Sequence, residues 1–286
     1  MFKKLWRKIG PNPLDRLLKK AQANGHKKIL IPWNRGLGDI ALGLYAIVHR
    51  IKTYIPDAEI TFITRKDLEE GFALLEGVKV VIDATWKRKE SIRLPEDLSS
   101  YDLVIENADP TYWVAWQRGT LVPELKWNPA WDELWKKFDL PEKCIGAHVQ
   151  CETNYYQERD WPIQQWNALF STLSDPILLL GMKPEPLFSQ KNVIDLRGKF
   201  QLFELLSILK NRCRALIAPD SGILSMIYFL NTSFPIKVVS LWADPHHGVL
   251  KQNVPSPNPQ LVHIPIISSN QKNAALISTD EVLQAL

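Results

Sequence analysis

Ile29-Leu30-Ile31-Pro32-Trp33-Asn34-Arg35-Gly36-Leu37-Gly38-Asp39-Ile40-Ala41-Leu42 is the stretch that decides the fold. Its apolar run has the length and β-branching of a strand buried in a parallel sheet. Gly36 and Gly38 permit a tight turn and a close backbone approach. Ile40, Leu44, Ile47 and Ile51 then recur at helical spacing, with Arg50, Lys52 and Tyr54 off that face. The reading is strand, turn, helix. Asp39 falls near the helix N-terminus, at the carboxyl end of the first strand, the edge where open α/β sheets bind ligands. Three roles are open to this turn. It is a plain connection with an N-capping Asp, a phosphate loop, or a catalytic base held over a cleft. The phosphate loop is the weakest, because the pattern is not G-x-G-x-x-G and a carboxylate repels phosphate.

Working outward, 286 residues with 45% hydrophobic content suffice for two domains with real cores. The three cysteines, Cys144, Cys151 and Cys213, are odd in number and form no C-x-x-C. Neither a disulfide framework nor a zinc site is expected, which points to a reducing, cytoplasmic compartment. No apolar run has the length of a membrane span. The net charge of +4 is mild, and no nucleic-acid partner is expected. The charge gathers in a basic leader, residues 1–27, whose one acid is Asp15. Phe2, Leu5, Trp6 and Ile9 are spaced for one helical face, and Leu14, Leu17, Leu18 and Ala21 for another. Two readings stand: residues 1–24 lie on an anionic membrane surface, on the inner face of the cytoplasmic membrane, or their apolar residues pack on the body.

Further strands are expected at Ala58–Thr64, Val78–Ile82 and Tyr101–Ile105, with a helix from Asp67 to Leu75 closed by Gly77. This βαβ rhythm implies a parallel sheet. Lys87–Glu90 reads as a solvated charge run. Trp113, Trp116, Trp127, Trp131 and Trp135 form either a helical layer packed on the sheet or an aromatic wall beside a sugar or lipid. Pro141-Glu142-Lys143 reads as a linker, giving domains at 28–141 and 142–286. The second repeats the rhythm. Strands are expected at Cys144–Val149, Ile177–Gly181, Val193–Leu196, Ala215–Ala218 and Lys237–Leu241, and a Ser278–Glu281 capping box opens the last helix. His148 ends a strand and is either a satisfied structural histidine or a group facing the cleft. His246 and His247, being adjacent, are expected to point different ways and to make no metal motif.

The order of these motifs resembles glycosyltransferase family 9, the ADP-heptose:lipopolysaccharide heptosyltransferases, over roughly residues 28–285. Gly36-Leu37-Gly38-Asp39 is similar to the family's glycine–Asp turn, and Pro56-Asp57-Ala58-Glu59-Ile60 to the segment after it. Arg159-Asp160-Trp161-Pro162 resembles its Lys-x-Trp-Pro segment, with Arg159 in the place of a phosphate-binding Lys. Gly181 followed by Glu185 resembles the nucleoside contact, and Asp195-Leu196-Arg197-Gly198-Lys199 the run before a helix. Asp220-Ser221-Gly222 resembles the Asp-Ser/Thr-Gly motif at the donor phosphates. The chain departs from the pattern at Ser225, where the family has His, and at Trp242-Ala243-Asp244-Pro245, where it tends to have Gly-Pro-Thr.

The resemblance implies the GT-B architecture, two Rossmann-like domains with parallel sheets facing a central cleft. It implies inverting transfer of a heptose-like sugar from a nucleotide sugar, ADP-linked, to a lipopolysaccharide or other lipid-linked glycan acceptor, with no cofactor and no metal. Asp39 would be the base. Arg159, Ser221, Gly222 and Ser225 would serve the diphosphate, Asp220 would belong to the same donor site as a helix cap or loop organiser, and Glu185 would serve the ribose. The alternative is a catalytically idle homologue that binds a nucleotide or glycan, or scaffolds other enzymes. Ser225 favours the idle homologue; Asp39, Arg159 and Asp220-Ser221-Gly222 favour the enzyme.

Overall fold

Helix α1 (Pro13–Ala23) opens the described part of the chain, with Asn12 accepting the Leu14 N–H at its start. The structure is a computed structural model that describes residues 12–151 and 157–286. It divides into two units, residues 1–121 and 122–286. In the first, Leu14, Leu18 and Ala21 of α1 are buried, and Asp15 pairs with Arg50 at 2.6 Å. The apolar face of 13–23 is therefore spent on the protein body. The other leader face, Phe2 to Ile9, lies outside the described residues.

Strand β1 (Lys28–Trp33) is buried beyond Lys28, as its aliphatic run requires. After the Gly36–Asp39 turn the chain makes one π-helical turn, Ile40–Leu44, and continues as α2 (Tyr45–Tyr54). Then come β2 (Glu59–Arg65), α3 (Glu69–Ala73), β3 (Val78–Asp83), β4 (Leu103–Val104) and the short α4 (Pro110–Trp113). A Cβ on Gly43 would stand 2.3 Å from Cβ of Pro110, so a glycine is needed where the π turn meets α4. The sheet order is β3-β2-β1-β4 with every pair parallel. The chain moves outward from β1 through β3 and returns to its other side at β4. The carboxyl ends of β1 and β4 thus flank the topological switch point.

In the second unit β5 (Leu125–Lys126) pairs with β10 (Leu230–Asn231). The large sheet runs β12 (Leu261–Ile267), β11 (Ile236–Trp242), β9 (Cys213–Pro219), β6 (Cys144–His148), β7 (Ile177–Leu180), β8 (Val193–Asp195), again all parallel. Its helices are α5 (Ile163–Thr172), α6 (Leu202–Arg212), α7 (Gly222–Tyr228), α8 (Gly248–Gln252) and α9 (Thr279–Ala285). The switch point falls between β6 and β9. Ile145, Ala147 and Val149 enter a core with Trp166 and Phe170 of α5 and Val282 of α9. Gly146 faces the other way, where a Cβ would stand 2.9 Å from Leu209 of α6.

Residues 122–141 belong to the second unit, so the unit boundary precedes the Pro141–Lys143 linker. The cause is aromatic packing on α6. Trp131 stacks on Phe203 at 3.8 Å, the Arg212 guanidinium lies 3.4 Å over Trp135, and Ser207 Oγ donates to the Asp132 carbonyl. These tryptophans pack on a helix rather than on the sheet. All three cysteines are buried free thiols. Among the described residues no helix is long and apolar enough to cross a membrane.

Candidate functional site

In the first unit Asp39 lies in the opening turn of the helical segment, but its side chain makes no cap. Its Oδ2 instead accepts the N–H of Gly36 at 3.1 Å. The N-cap reading is thereby corrected: a carboxylate turned back into its own loop cannot serve the helix N–H groups. Burial raises the Asp39 pKa, and this outweighs the Gly36 N–H and the positive charges of Arg35 and Arg88, which act to lower it. A raised carboxyl pKa makes a better matched proton acceptor.

Arg88 was hidden in the charge run. The Lys87–Glu90 loop is not simply solvated, because Asn34 Nδ2 donates to the Lys87 carbonyl at 2.9 Å and the Glu90 carbonyl at 3.0 Å. Trp86 anchors the loop from below, buried, with its Nε1 donating to the Ser91 carbonyl. This folds the loop back on the carboxyl end of β1. Arg88 Nη2 then comes within 3.8 Å of where a Gly36 Cβ would be, and Asp39 Oδ2 within 3.3 Å of the same point. A Cβ at position 36 would sit in tight contact with the Asp39 carboxylate, which would have to give by a few tenths of an ångström. On the other side buried Arg65 donates to Asn34 Oδ1 and pairs with Asp67 at 2.8 Å. The one sequence signal for this arrangement is Trp86, an apolar anchor just before the charges.

A pocket of about 300 Å³ opens at this edge, lined by Trp33, Asn34, Arg35, Glu90, Glu106 and Asn107 among others. It combines residues that follow β1 with residues that follow β4, so it occupies the switch point. The indole N–H of Trp33 is buried there with no partner among the described residues.

In the second unit the loops after β6 and β9 are joined by Cys151. Its N–H donates to Asp160 Oδ1 at 3.0 Å and its thiol to the Asp220 carbonyl at 3.2 Å. Arg159, Asp160, Asp220 and Ser221 are thereby gathered at the switch point. Ser221 caps α7, accepting the Leu224 N–H. Ser225 is buried, and its hydroxyl donates to the Ser221 carbonyl at 3.1 Å. That proton is spent inside the helix, which leaves Ser225 poorly placed as a phosphate donor. Gly222 begins α7. A Cβ on Gly248 would stand 2.3 Å from Asp220 Oδ1, so the start of α8 packs directly on the Asp220 carboxylate. Glu185 is exposed in the loop after β7, which Arg197 holds by donating to the Pro186 carbonyl. No described contact joins Glu185 to Arg159 or Asp220.

His148 is buried at the end of β6, yet neither ring nitrogen has a partner among the described residues. Burial, with Arg159 nearby, lowers its pKa to about 4. His246 and His247 do not point apart. Both engage Asp244, His246 Nδ1 at 2.8 Å and His247 Nε2 at 3.3 Å, because the turn folds back until Asp244 accepts the His246 N–H. Among the described residues no three His, Cys, Asp or Glu side chains are placed to hold a metal ion.

No family model matches the chain, and no curated protein matches it. Solved structures do match it. It is similar to ADP-heptose lipopolysaccharide heptosyltransferase II of E. coli, with a TM-score of 0.63, 15% identity, and coverage of 90% of this chain and 97% of that one. It is also similar to a family 9 glycosyl transferase from Veillonella parvula DSM 2008, with a TM-score of 0.59, 16% identity, and coverage of 91% and 95%. The fold is that of the family 9 glycosyltransferases. E. coli heptosyltransferase WaaC with ADP aligns with a TM-score of 0.51 at 13% identity, over 90% of this chain and 98% of that one. Each alignment spans both units, so the resemblance drawn from scattered motifs holds for the whole architecture.

Proposed function

We propose that the protein is an inverting glycosyltransferase. It moves a heptose-like sugar from a nucleoside-diphosphate sugar, ADP-linked, to a hydroxyl of a lipopolysaccharide or other glycan acceptor, without a metal. The observation that carries this reading is the Asp39 carboxylate, raised in pKa by burial and turned off its helix into the loop after β1, the loop whose Asn34 and Arg35 line an open pocket; Asp39 itself is not in that lining. The structural neighbours, an ADP-heptose heptosyltransferase and a heptosyltransferase with ADP among them, support the donor class.

The chemistry divides between the units. The first holds the acceptor, whose hydroxyl gives its proton to Asp39 as its oxygen bonds to the anomeric carbon. The bond from that carbon to the diphosphate oxygen breaks, and the nucleoside diphosphate leaves with the electron pair. One displacement inverts the configuration, so one carboxylate is enough. The sugar passes through an oxocarbenium-like state while charge grows on the diphosphate. Arg159 meets that charge with a bidentate contact, and the N–H groups near Ser221 and Gly222 add fixed donors. Asp220 organises the loop through Gly248 rather than touching phosphate.

A second reading, an idle homologue that binds nucleotide or glycan or scaffolds other enzymes, is favoured by Ser225 alone, whose buried hydroxyl brings nothing to the donor. The test is nucleoside diphosphate release from ADP-, GDP- and UDP-sugars with and without lipopolysaccharide fragments. Release that depends on the acceptor supports the transferase. Nucleotide binding without release from any donor would favour the idle homologue.

A further inference from the structure

The two faces of α1 are used differently. Leu14, Leu18 and Ala21 recur on one side and are buried in the first unit. Arg16, Lys19, Lys20 and Ala23 recur on the opposite side and are exposed. Asp15, the acid of the helix, lies on neither face, and its carboxylate accepts from Arg50 Nε at 2.6 Å and Nη2 at 2.7 Å. Asp57 is taken in the same way by Lys27. Among the described residues no carboxylate pairs with Arg16, Lys19 or Lys20. Like charges at i, i+3 and i+4 repel one another, which costs stability unless an anion from outside offsets it. The basic character continues in the sequence before the helix. Residues 1–11, outside the described residues, carry Lys3, Lys4, Arg7 and Lys8 and no acid, with Phe2, Leu5, Trp6 and Ile9 among them. The point where this segment joins the body is fixed, since Asn12 donates through Nδ2 to the Trp113 carbonyl and accepts the Leu14 N–H.

We propose that the outer face of α1, together with the basic segment before it, docks the protein on an anionic bilayer surface. Arg16, Lys19 and Lys20 meet lipid phosphates, and the apolar residues of 1–11 enter the interface beside them. The helix supplies charge and no insertion, because its apolar face is already buried on the body. Three charges alone bind a bilayer weakly, so the helix face and the segment before it act together. Phe2, Leu5, Trp6 and Ile9 favour a bilayer over a nucleic acid, which offers phosphates but no apolar layer. The docking does not depend on the glycosyltransferase reading. If that reading holds, docking keeps the enzyme at the surface that carries a lipid-linked acceptor.

The experiment is co-sedimentation of the full chain with phosphatidylcholine vesicles that contain or lack phosphatidylglycerol, at low and at raised salt. Binding is expected only where phosphatidylglycerol is present, and it weakens as salt rises. The triple variant Arg16→Gln, Lys19→Gln, Lys20→Gln is expected to bind roughly 100-fold more weakly, about fivefold for each charge. Its melting temperature stays the same or rises, because the repulsion along the helix is gone. The charge-keeping swap Arg16→Lys, Lys19→Arg, Lys20→Arg binds as the unaltered protein does. Equal binding to vesicles without phosphatidylglycerol, or binding to neither, would overturn the inference. So would full affinity in the triple Gln variant, or tighter binding to duplex DNA than to the anionic vesicles at the same salt. None of these outcomes touches sugar transfer, so the glycosyltransferase reading is tested separately.

Discussion

The backbone N–H of Gly36 donates to Oδ2 of Asp39 across 3.1 Å, turning the carboxylate back into its own loop. The helix behind it gains no cap from the acid. The folded pKa is raised above the unfolded value, so the native state binds the proton more tightly. Stability therefore falls as pH rises through that window, and the ionised carboxylate is a stability cost at neutral pH. A residue kept at such a cost is a functional candidate.

Acid sensitivity comes from two histidines. His148 and His263 are both pulled down from 6.5 to about 4, chiefly by burial. Their folded pKa values lie below the unfolded ones, so the stability they contribute is present above pH 6.5 and is lost as pH falls from 6.5 toward 4. Melting temperature measured from pH 7.5 to 4.5 is expected to drop across that window. His263→Gln should flatten the fall, since it keeps a polar partner for Ser240 Oγ, now 2.6 Å from the ring. An unchanged slope would show that His263 does not titrate there.

Gly248 is expected to be intolerant of substitution. Its φ is +47°, and a Cβ would lie 2.3 Å from Asp220 Oδ1 and 2.7 Å from the Trp242 ring. Gly248→Ala should cost ~1–3 kcal/mol. It should also weaken ADP binding by displacing the Asp220 loop. Chemical denaturation and titration read the two effects. Normal values for both would mean that the loop accommodates the methyl group.

The leader divides at residue 12. Deleting residues 1–24 removes Leu14, Leu18 and the Asp15–Arg50 pair, so the melting temperature should fall by several degrees. Deleting residues 1–11 should leave the fold intact. If the leader docks on an anionic membrane surface, this shorter deletion abolishes co-sedimentation with phosphatidylglycerol vesicles. Unchanged sedimentation removes that docking.

Strand–turn–helix at 29–51 and the paired parallel sheets were legible because they are written in local periodicity and turn residues. What was not legible depends on contacts between distant residues. Asn34 pulling in the Lys87–Glu90 loop, and Arg88 with it, leaves no periodic mark. Neither does Trp131 stacking on Phe203, which moved residues 122–141 into the second unit. Asp39 at a helix start reads as a cap from sequence, and only its bond to Gly36 says otherwise. Cys151, unremarkable in sequence, joins the Asp160 and Asp220 loops.

The role of Asp39 as the base is tested most directly by single-turnover sugar transfer in Asp39→Asn at saturating donor, with a melting curve beside it. Asn keeps the size of the side chain and can still accept the Gly36 N–H, but it cannot take a proton. The expected result is a fall in transfer of roughly 10² to 10⁴, unchanged ADP affinity, and a melting temperature equal to or above that of the unaltered protein. Near-normal transfer by Asp39→Asn would contradict the assignment.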